Sequence, residues 1–258
     1  MKSELFTRLS DYRERVTIVT DTYANAAQYL KSSDCNGEPF ERKASGILLD
    51  LGFNSVHVDE AERGFSFQRD GPLDMRYDPL EKVTAADLVN QLDSKSLAAI
   101  FVEYSGESYR TCKHIANVIC QRREQRPFTC TLDLANCVNK ALPKKNSGKT
   151  PCTGIFQALR IAVNDEYSHL NHFMESLPDL LDSGGVGVFL CFQSLEIRII
   201  KKWIRQFFST NTQPQVLDLV PLKSSSGYLH PSFSDHLRRK SAGISDLAAP
   251  FSMLSNDC

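Results

Sequence analysis

The sequence predicts an α/β fold: a largely parallel, doubly wound sheet with an all-helical insertion. Three observations point there. Two continuous apolar runs, GILLD (46–50) and VGVFLCF (186–192), have the pattern of strands buried on both faces. They lie in opposite halves of the chain. Between residues 84 and about 150 every periodic segment has helical spacing.

Each element has its own signal. Residues 1–10 read as the tail of an amphipathic helix, and VTIVT (16–20) as a short β-branched strand. ANAAQYL (24–30) is helical, and the GILLD strand ends in an acid, Asp50. TAADLVNQL has Thr84 as a candidate N-cap, and SLAAIFVEY follows from Ser96. SYRTCKHIANVICQRRE gathers Cys112, Ile115, Val118 and Ile119 on one helical face. TLDLANCVNKAL (131–142) is a further helix, and PKKNSGK (143–149) a polar turn. A long helical region covers 155–181, with a break expected before Pro178. Gly184-Gly185 precedes the second buried strand, which leads into the helix SLEIRIIKKWIRQFF (194–208). VLDLV (216–220) is a last strand, and the tail beyond 222 has weak periodicity. The expected division is a sheet-bearing core over 1–82 and 151–222, a helical insertion over 83–150 and a tail over 223–258.

Composition narrows the function classes. Hydrophobic residues at 41% and charged residues at 24% allow a proper core. No apolar run approaches the ~20 residues that cross a bilayer, so no membrane partner is expected. The start MKSELFTRLSDYRER is charged throughout, unlike a signal peptide. The eight cysteines are scattered, with neither C-x-x-C pairs nor zinc spacing. They read as reduced packing thiols of a soluble intracellular protein, and no metal is expected. The net charge of −1 hides an asymmetry. Residues 1–100 carry 12 Lys and Arg against 17 Asp and Glu, whereas residues 101–258 carry 18 against 14. Basic clusters RREQR (122–126), KKNSGK (144–149), KKWIR (201–205) and LRRK (237–240) make an anionic partner plausible.

The stretch RGFSFQRDGPLDMRYD (63–78) has neither a 3.6 nor a 2.0 repeat of apolar positions. Arg63, Arg69 and Arg76 are interspersed with Asp70, Asp74 and Asp78, and Gly71-Pro72 punctuates the run. It is a long charged loop. Loops of this length in compact domains are commonly functional. It follows Asp50 closely, at the carboxyl end of a strand, where open α/β sheets bind ligands.

The wording GILLDLGFNSVHVDEAERGFSFQRDGPLDMRYDP resembles one family: the S-adenosylmethionine-dependent N4-cytosine methyltransferases of small-subunit ribosomal RNA, whose bacterial members are known as RsmH or MraW. IFQALRIAVNDE and FQSLEIRIIKKWIR resemble later motifs of that family in the same order. TAADLVNQLDSKSLAAIFVEY is closer to its animal mitochondrial branch. The resemblance implies a Rossmann-like class I methyltransferase sheet with an inserted all-helical domain for substrate recognition. It implies S-adenosylmethionine as cofactor and small-subunit rRNA as partner, allows a homodimer, and points to the mitochondrial matrix, with the cytoplasm as alternative.

Such chemistry needs a base splayed from its stack, in-line placement of a methyl donor, and an acceptor for the amino hydrogens of cytosine. Carried over by position, Tyr23, Asp50 and His57 would contact the cofactor, His57 standing where glutamine is usual. Asp50, Asp70 and Asp74 would be the catalytic acids. Arg63, Arg69, Arg76, Glu196 and Arg198 would meet the RNA. The structural alternatives are an Arg76 paired with a loop aspartate and a Glu196 serving as a helix-start charge.

Departures accompany the matches. The family opens with a strand and a Gly-rich turn, D-x-T-x-G-x-G-G-H-S, that have no counterpart here, so an N-terminally truncated sheet is expected. Gln193 and Ile197 replace a His and an Asp of the later junction. Two explanations stand: an incomplete copy of an active enzyme, or a diverged relative that binds RNA or serves ribosome assembly without catalysis.

Overall fold

The computed structural model describes residues 7–30, 43–141, 151–210, 217–221 and 251–255. The expected polar turn at 143–149 lies outside them. Four parallel strands form one sheet: β1 (Ala44–Asp50), β2 (Leu181–Cys191), β3 (Leu217–Pro221) and β4 (Phe251–Ser255). Their order is β1-β2-β4-β3, so β4 inserts between its two predecessors. β1 and β2 run in register from Gly46 opposite Val186 to Asp50 opposite Leu190. The connection between them contains the whole helical block.

The helices are α1 (Ala26–Leu30), α2 (Ser55–Asp59), α3 (Ala85–Gln91), α4 (Ser94–Tyr104), α5 (Tyr109–Arg123), α6 (Thr131–Ala141), α7 (Pro151–Asn164), α8 (Glu166–Leu180) and α9 (Ser194–Thr210). Local chemistry sets their starts. Thr84 caps α3 in a reciprocal box with Asp87, as its position before TAADLV predicts. Asp93 caps α4, whose start at Ser94 is two residues earlier than the Ser96 expected, and Ser108 caps α5.

Two hydrophobic clusters result. Phe101, Ile115, Ile119, Leu134, Val138, Ile155 and Leu159, from α4 to α7, form one, with Leu73 and Met75 of the charged loop inserted into it. α7 therefore packs with the helical block. Burial of each such side chain contributes about 1.5–3 kcal/mol. The second cluster joins the sheet to α8 and α9 through Leu49, Phe189, Phe173, Leu177, Ile200 and Ile204.

Four expectations are corrected. VTIVT (16–20) pairs with no strand among the described residues and is mostly exposed, because β propensity without a neighbouring strand does not make a ladder. β1 is not buried on both faces: Leu48 is 67% exposed while Leu49 is 8% exposed. It is the outer strand of the described sheet, and no described element covers its Leu48 side. The long helical region breaks at Asp165, in the left-handed conformation, and α8 runs through Pro178. Pro178 falls in the last turn, between the buried Leu177 and Leu180, where one lost backbone bond is tolerated. The tail supplies a strand, β4, that its weak periodicity hid. No helix among the described residues is long and apolar enough to cross a membrane.

Candidate functional site

The site begins where β1 stops. Asp50 is exposed at the carboxyl end, and the next amide, Leu51 N–H, donates to the Leu190 carbonyl at 3.1 Å. Gly52 then turns the chain at φ 92°, with open space where a side chain would be. Asn54 caps α2 by accepting from His57 N–H at 3.3 Å. A five-residue helix is not stable alone, so packing must hold it. That packing is aromatic: the His57 ring lies 5.0 Å from Phe65 and 5.3 Å from Tyr77, and Phe65 stacks on Tyr77 at 5.5 Å. Burial, then the Arg63 charge, lowers the His57 pKa, so the ring is neutral at pH 7. Its Nδ1 is buried without a hydrogen-bond partner among the described residues.

The charged loop is tied down at almost every residue. Its backbone comes so close to itself that a methyl on Gly64 would sit 2.1 Å from the Pro72 carbonyl. Arg63 Nη2 donates to the carbonyls of Arg76 and Tyr77 at 2.8 and 3.0 Å. Arg69 Nη1 donates to the Asp59 carbonyl at 3.1 Å. Asp70 accepts from Leu132 N–H at 3.0 Å, capping the start of α6. Asp74 accepts from Arg76 Nε at 2.8 Å and Nη2 at 2.6 Å, and Arg76 Nη1 reaches the Pro79 carbonyl at 2.9 Å.

The Arg76 hydrogen bonds hold the Asp74 pKa below the ordinary 3.8. A depressed carboxyl pKa contributes stability at pH values above 3.8, lost as pH falls through the lower folded value.

Behind the loop lies a buried polar network from the α7–α8 junction. Arg160, 6% exposed, donates from Nε and Nη2 to Glu166 at 2.7 and 3.0 Å. Tyr77 donates its hydroxyl to Glu166 Oε1 at 3.2 Å, and Tyr23 donates to the Glu166 carbonyl at 3.3 Å. Burial and then the Glu166 charge raise both phenol pKa values. Asn164 holds the loop by two bonds: Nδ2 donates to the Met75 carbonyl at 2.8 Å, and Oδ1 accepts from Tyr77 N–H at 2.6 Å. Between these anchors Met75 is fully buried with φ 65°, a conformation an L-residue keeps only when its surroundings enforce it.

The residues predicted from sequence divide accordingly. His57, Arg63, Arg76 and Tyr23 are linked through Tyr77 and Glu166, and Asp50 lies at the head of the same turn. Asp70 instead anchors α6. The guanidinium groups of Arg63, Arg69 and Arg76, expected at RNA, bond backbone carbonyls of the loop and its flanks, and Arg76 also bonds Asp74. Arg76 thus takes the paired alternative. Arg198 is exposed on α9 near Lys201, Lys202 and Arg205.

Glu196, also expected at RNA, is 2% exposed and accepts from Phe192 and Gln193 N–H at 2.8 and 3.0 Å. It therefore shapes the β2–α9 junction. Burial is the main cause that raises its pKa above the ordinary 4.5, so the folded protein holds more protons there and stability falls as pH rises through the window above 4.5. Glu196→Gln should abolish that fall and keep one oxygen for both amides. Glu196→Ala should cost roughly 1–3 kcal/mol, because two amides lose their acceptor. Thermal melts from pH 4 to 8 check both.

Sequence reading missed Phe53, Tyr77, Arg160, Asn164 and Glu166. For the last three the signal was in RIAVNDE, whose polar residues sit in an otherwise apolar helical run. Among the described cysteines, Cys112, Cys152 and Cys191 are buried packing groups, and burial pushes the Cys152 and Cys191 thiols up to about 12.

A strand-end acid, a charged loop folded onto the turn after it, and a buried network bracing that loop make up a candidate ligand site on an α/β framework. The chain belongs to the MraW methylase family, whose model matches residues 3–230. Three relatives are each named ribosomal RNA small subunit methyltransferase H. That of Leptospira interrogans is 40% identical over 213 residues, covering 82% of this chain and 62% of its own. That of Rhodospirillum rubrum is 41% identical over 76% of this chain and 58% of its own. That of Synechococcus elongatus is 44% identical over 71% and 61%. The chain thus spans about three fifths of the length of these relatives.

Proposed function

We propose that the protein works as an S-adenosylmethionine-dependent methyltransferase on the exocyclic N4 of a cytosine in small-subunit rRNA. The observation that carries this reading is the closure of the charged loop onto the turn that leaves β1. His57 and Phe53, both in the segment that follows Asp50, pack on Phe65 and Tyr77 of the loop, whose Arg63 holds the Arg76 carbonyl beside the Asp74–Arg76 pair. The names of the relatives support the reaction and the RNA class. The proposed division of labour gives catalysis to the sheet-bearing part, a Rossmann-like core, and RNA recognition to the helical block. Likeness of the helical wording to the animal mitochondrial branch supports placement in the mitochondrial matrix.

The residues present fit the cofactor. The Nδ1 of His57, without a partner among the described residues, and the open turn at Gly52 suit a polar ligand, and Asp50 is exposed two residues before that turn. Tyr23 offers its ring only, since its hydroxyl is engaged. When bound, S-adenosylmethionine supplies an electrophilic methyl group. The protein's own part is to hold the cytosine, exclude water and accept the amino proton, which this reading assigns to the Asp50 carboxylate. Asp74 keeps the loop in shape through Arg76.

The test uses the native protein purified from its own cells, incubated with small-subunit rRNA and methyl-labelled S-adenosylmethionine. Nucleoside digestion should show the label in N4-methylcytidine. Label in another nucleoside, or none despite measured cofactor binding, would overturn the assignment.

A further inference from the structure

Phe53 is 44% exposed in the turn three residues after Asp50. Its ring is not loose. The Arg160 guanidinium lies over it, 4.7 Å from the centroid, and is itself 6% exposed and fixed by two bonds to Glu166. A buried cation against one ring face leaves the other face to account for the exposure. Phe65 stands 6.5 Å away at an interplanar angle of 32°, so the side chain is flanked as well as backed. A large apolar ring braced in this way at the carboxyl end of a strand is a platform. Single-stranded nucleic acid is held by stacking of splayed bases on such platforms.

We propose that Phe53 is the stacking surface for the splayed pyrimidine base. The inference rests on the function proposed above and goes beyond it by naming the residue that receives the base. The base lies on the solvent face of the Phe53 ring, with Arg160 holding the opposite face. Asp50 stands three residues back along the chain, at the end of the same strand, and this reading gives it the exocyclic amine.

The experiment compares Phe53→Ala, Phe53→Leu and Phe53→Trp in the native-length protein, after melting curves establish that each folds. Leucine keeps apolar bulk without a π face, and tryptophan keeps the face. The kcat/KM for small-subunit rRNA should fall roughly tenfold in the alanine and leucine variants and stay near the parent in tryptophan. In parallel, a short oligocytidylate carrying one pyrrolocytosine should be quenched by the parent and tryptophan proteins only. Equal rates and equal quenching in all four proteins overturn the platform. A parent that methylates nothing yet quenches keeps the platform and removes the proposed reaction. A parent that methylates while leucine matches it keeps the reaction and removes the platform.

Discussion

Asp50→Ala should lower the rate of N4 methylation by roughly a hundredfold to ten-thousandfold while barely moving the melting temperature. The two effects separate because of where the residue sits. Asp50 is exposed at the end of β1, in backbone register with Leu190, and the adjoining Leu51 amide completes the ladder without its side chain. An exposed substitution of this kind changes stability by about 0.5 kcal/mol or less. The exocyclic amine of cytosine, by contrast, is a poor nucleophile whose lone pair is spread into the ring. It needs an acceptor positioned to take its proton, and a loss at that position falls on kcat. Asp50→Asn sharpens the test. Its amide oxygen still accepts a hydrogen bond from the amine but is a far weaker base, so rRNA binding should persist while turnover stays low. An Asp50→Ala variant with unchanged kcat would move the proton acceptor elsewhere.

Asp74→Ala should behave differently. Its carboxylate is bound to Arg76, so the loss falls on loop order and on stability together.

The strand signals were legible because they depend on short apolar runs: β1, β2 and β3 each contain most of GILLD, VGVFLCF and VLDLV, although β2 starts earlier, at Leu181, and takes in Gly184 and Gly185. The capping box at Thr84 was legible because it is local. What stayed hidden depends on distance along the chain. Nothing in VTIVT says that it finds no neighbour, and nothing near residue 251 announces a strand that completes a sheet. The bonds that Arg63 and Arg76 make within the protein stayed hidden for the same reason. An arginine in a charged loop looks available for phosphate until the carbonyls it bonds are known. The Asp50 strand end and the charged loop stood out in the sequence as a candidate site. The network that braces them did not, because Asn164 and Glu166 lie 87 and 89 residues from Tyr77.

That separation makes Asn164 the residue whose loss should disturb the molecule most. Its side-chain amide is fully used: one oxygen accepts from Tyr77 N–H, and Nδ2 serves both the Met75 and Arg160 carbonyls. Asn164→Ala strips a donor from Met75 and an acceptor from Tyr77 in a partly buried setting. At about 1–3 kcal/mol for each unsatisfied group, a cost near 3 kcal/mol is expected. For a chain of this size that corresponds to a fall of roughly 6–12 °C in melting temperature. Met75 holds its left-handed conformation only while both anchors persist, so the loop should relax and methylation should fail with it. Asn164→Asp keeps the acceptor for Tyr77 but turns a carboxylate toward the Met75 carbonyl, close in sequence to Glu166. It should be no better than alanine, although it matches the parent in shape. Hydrogen exchange over residues 63–78, compared between parent and both variants at equal temperature, reads the loop directly. Unchanged protection there, with a parental melting point, would show that the loop holds itself and that Asn164 only decorates it.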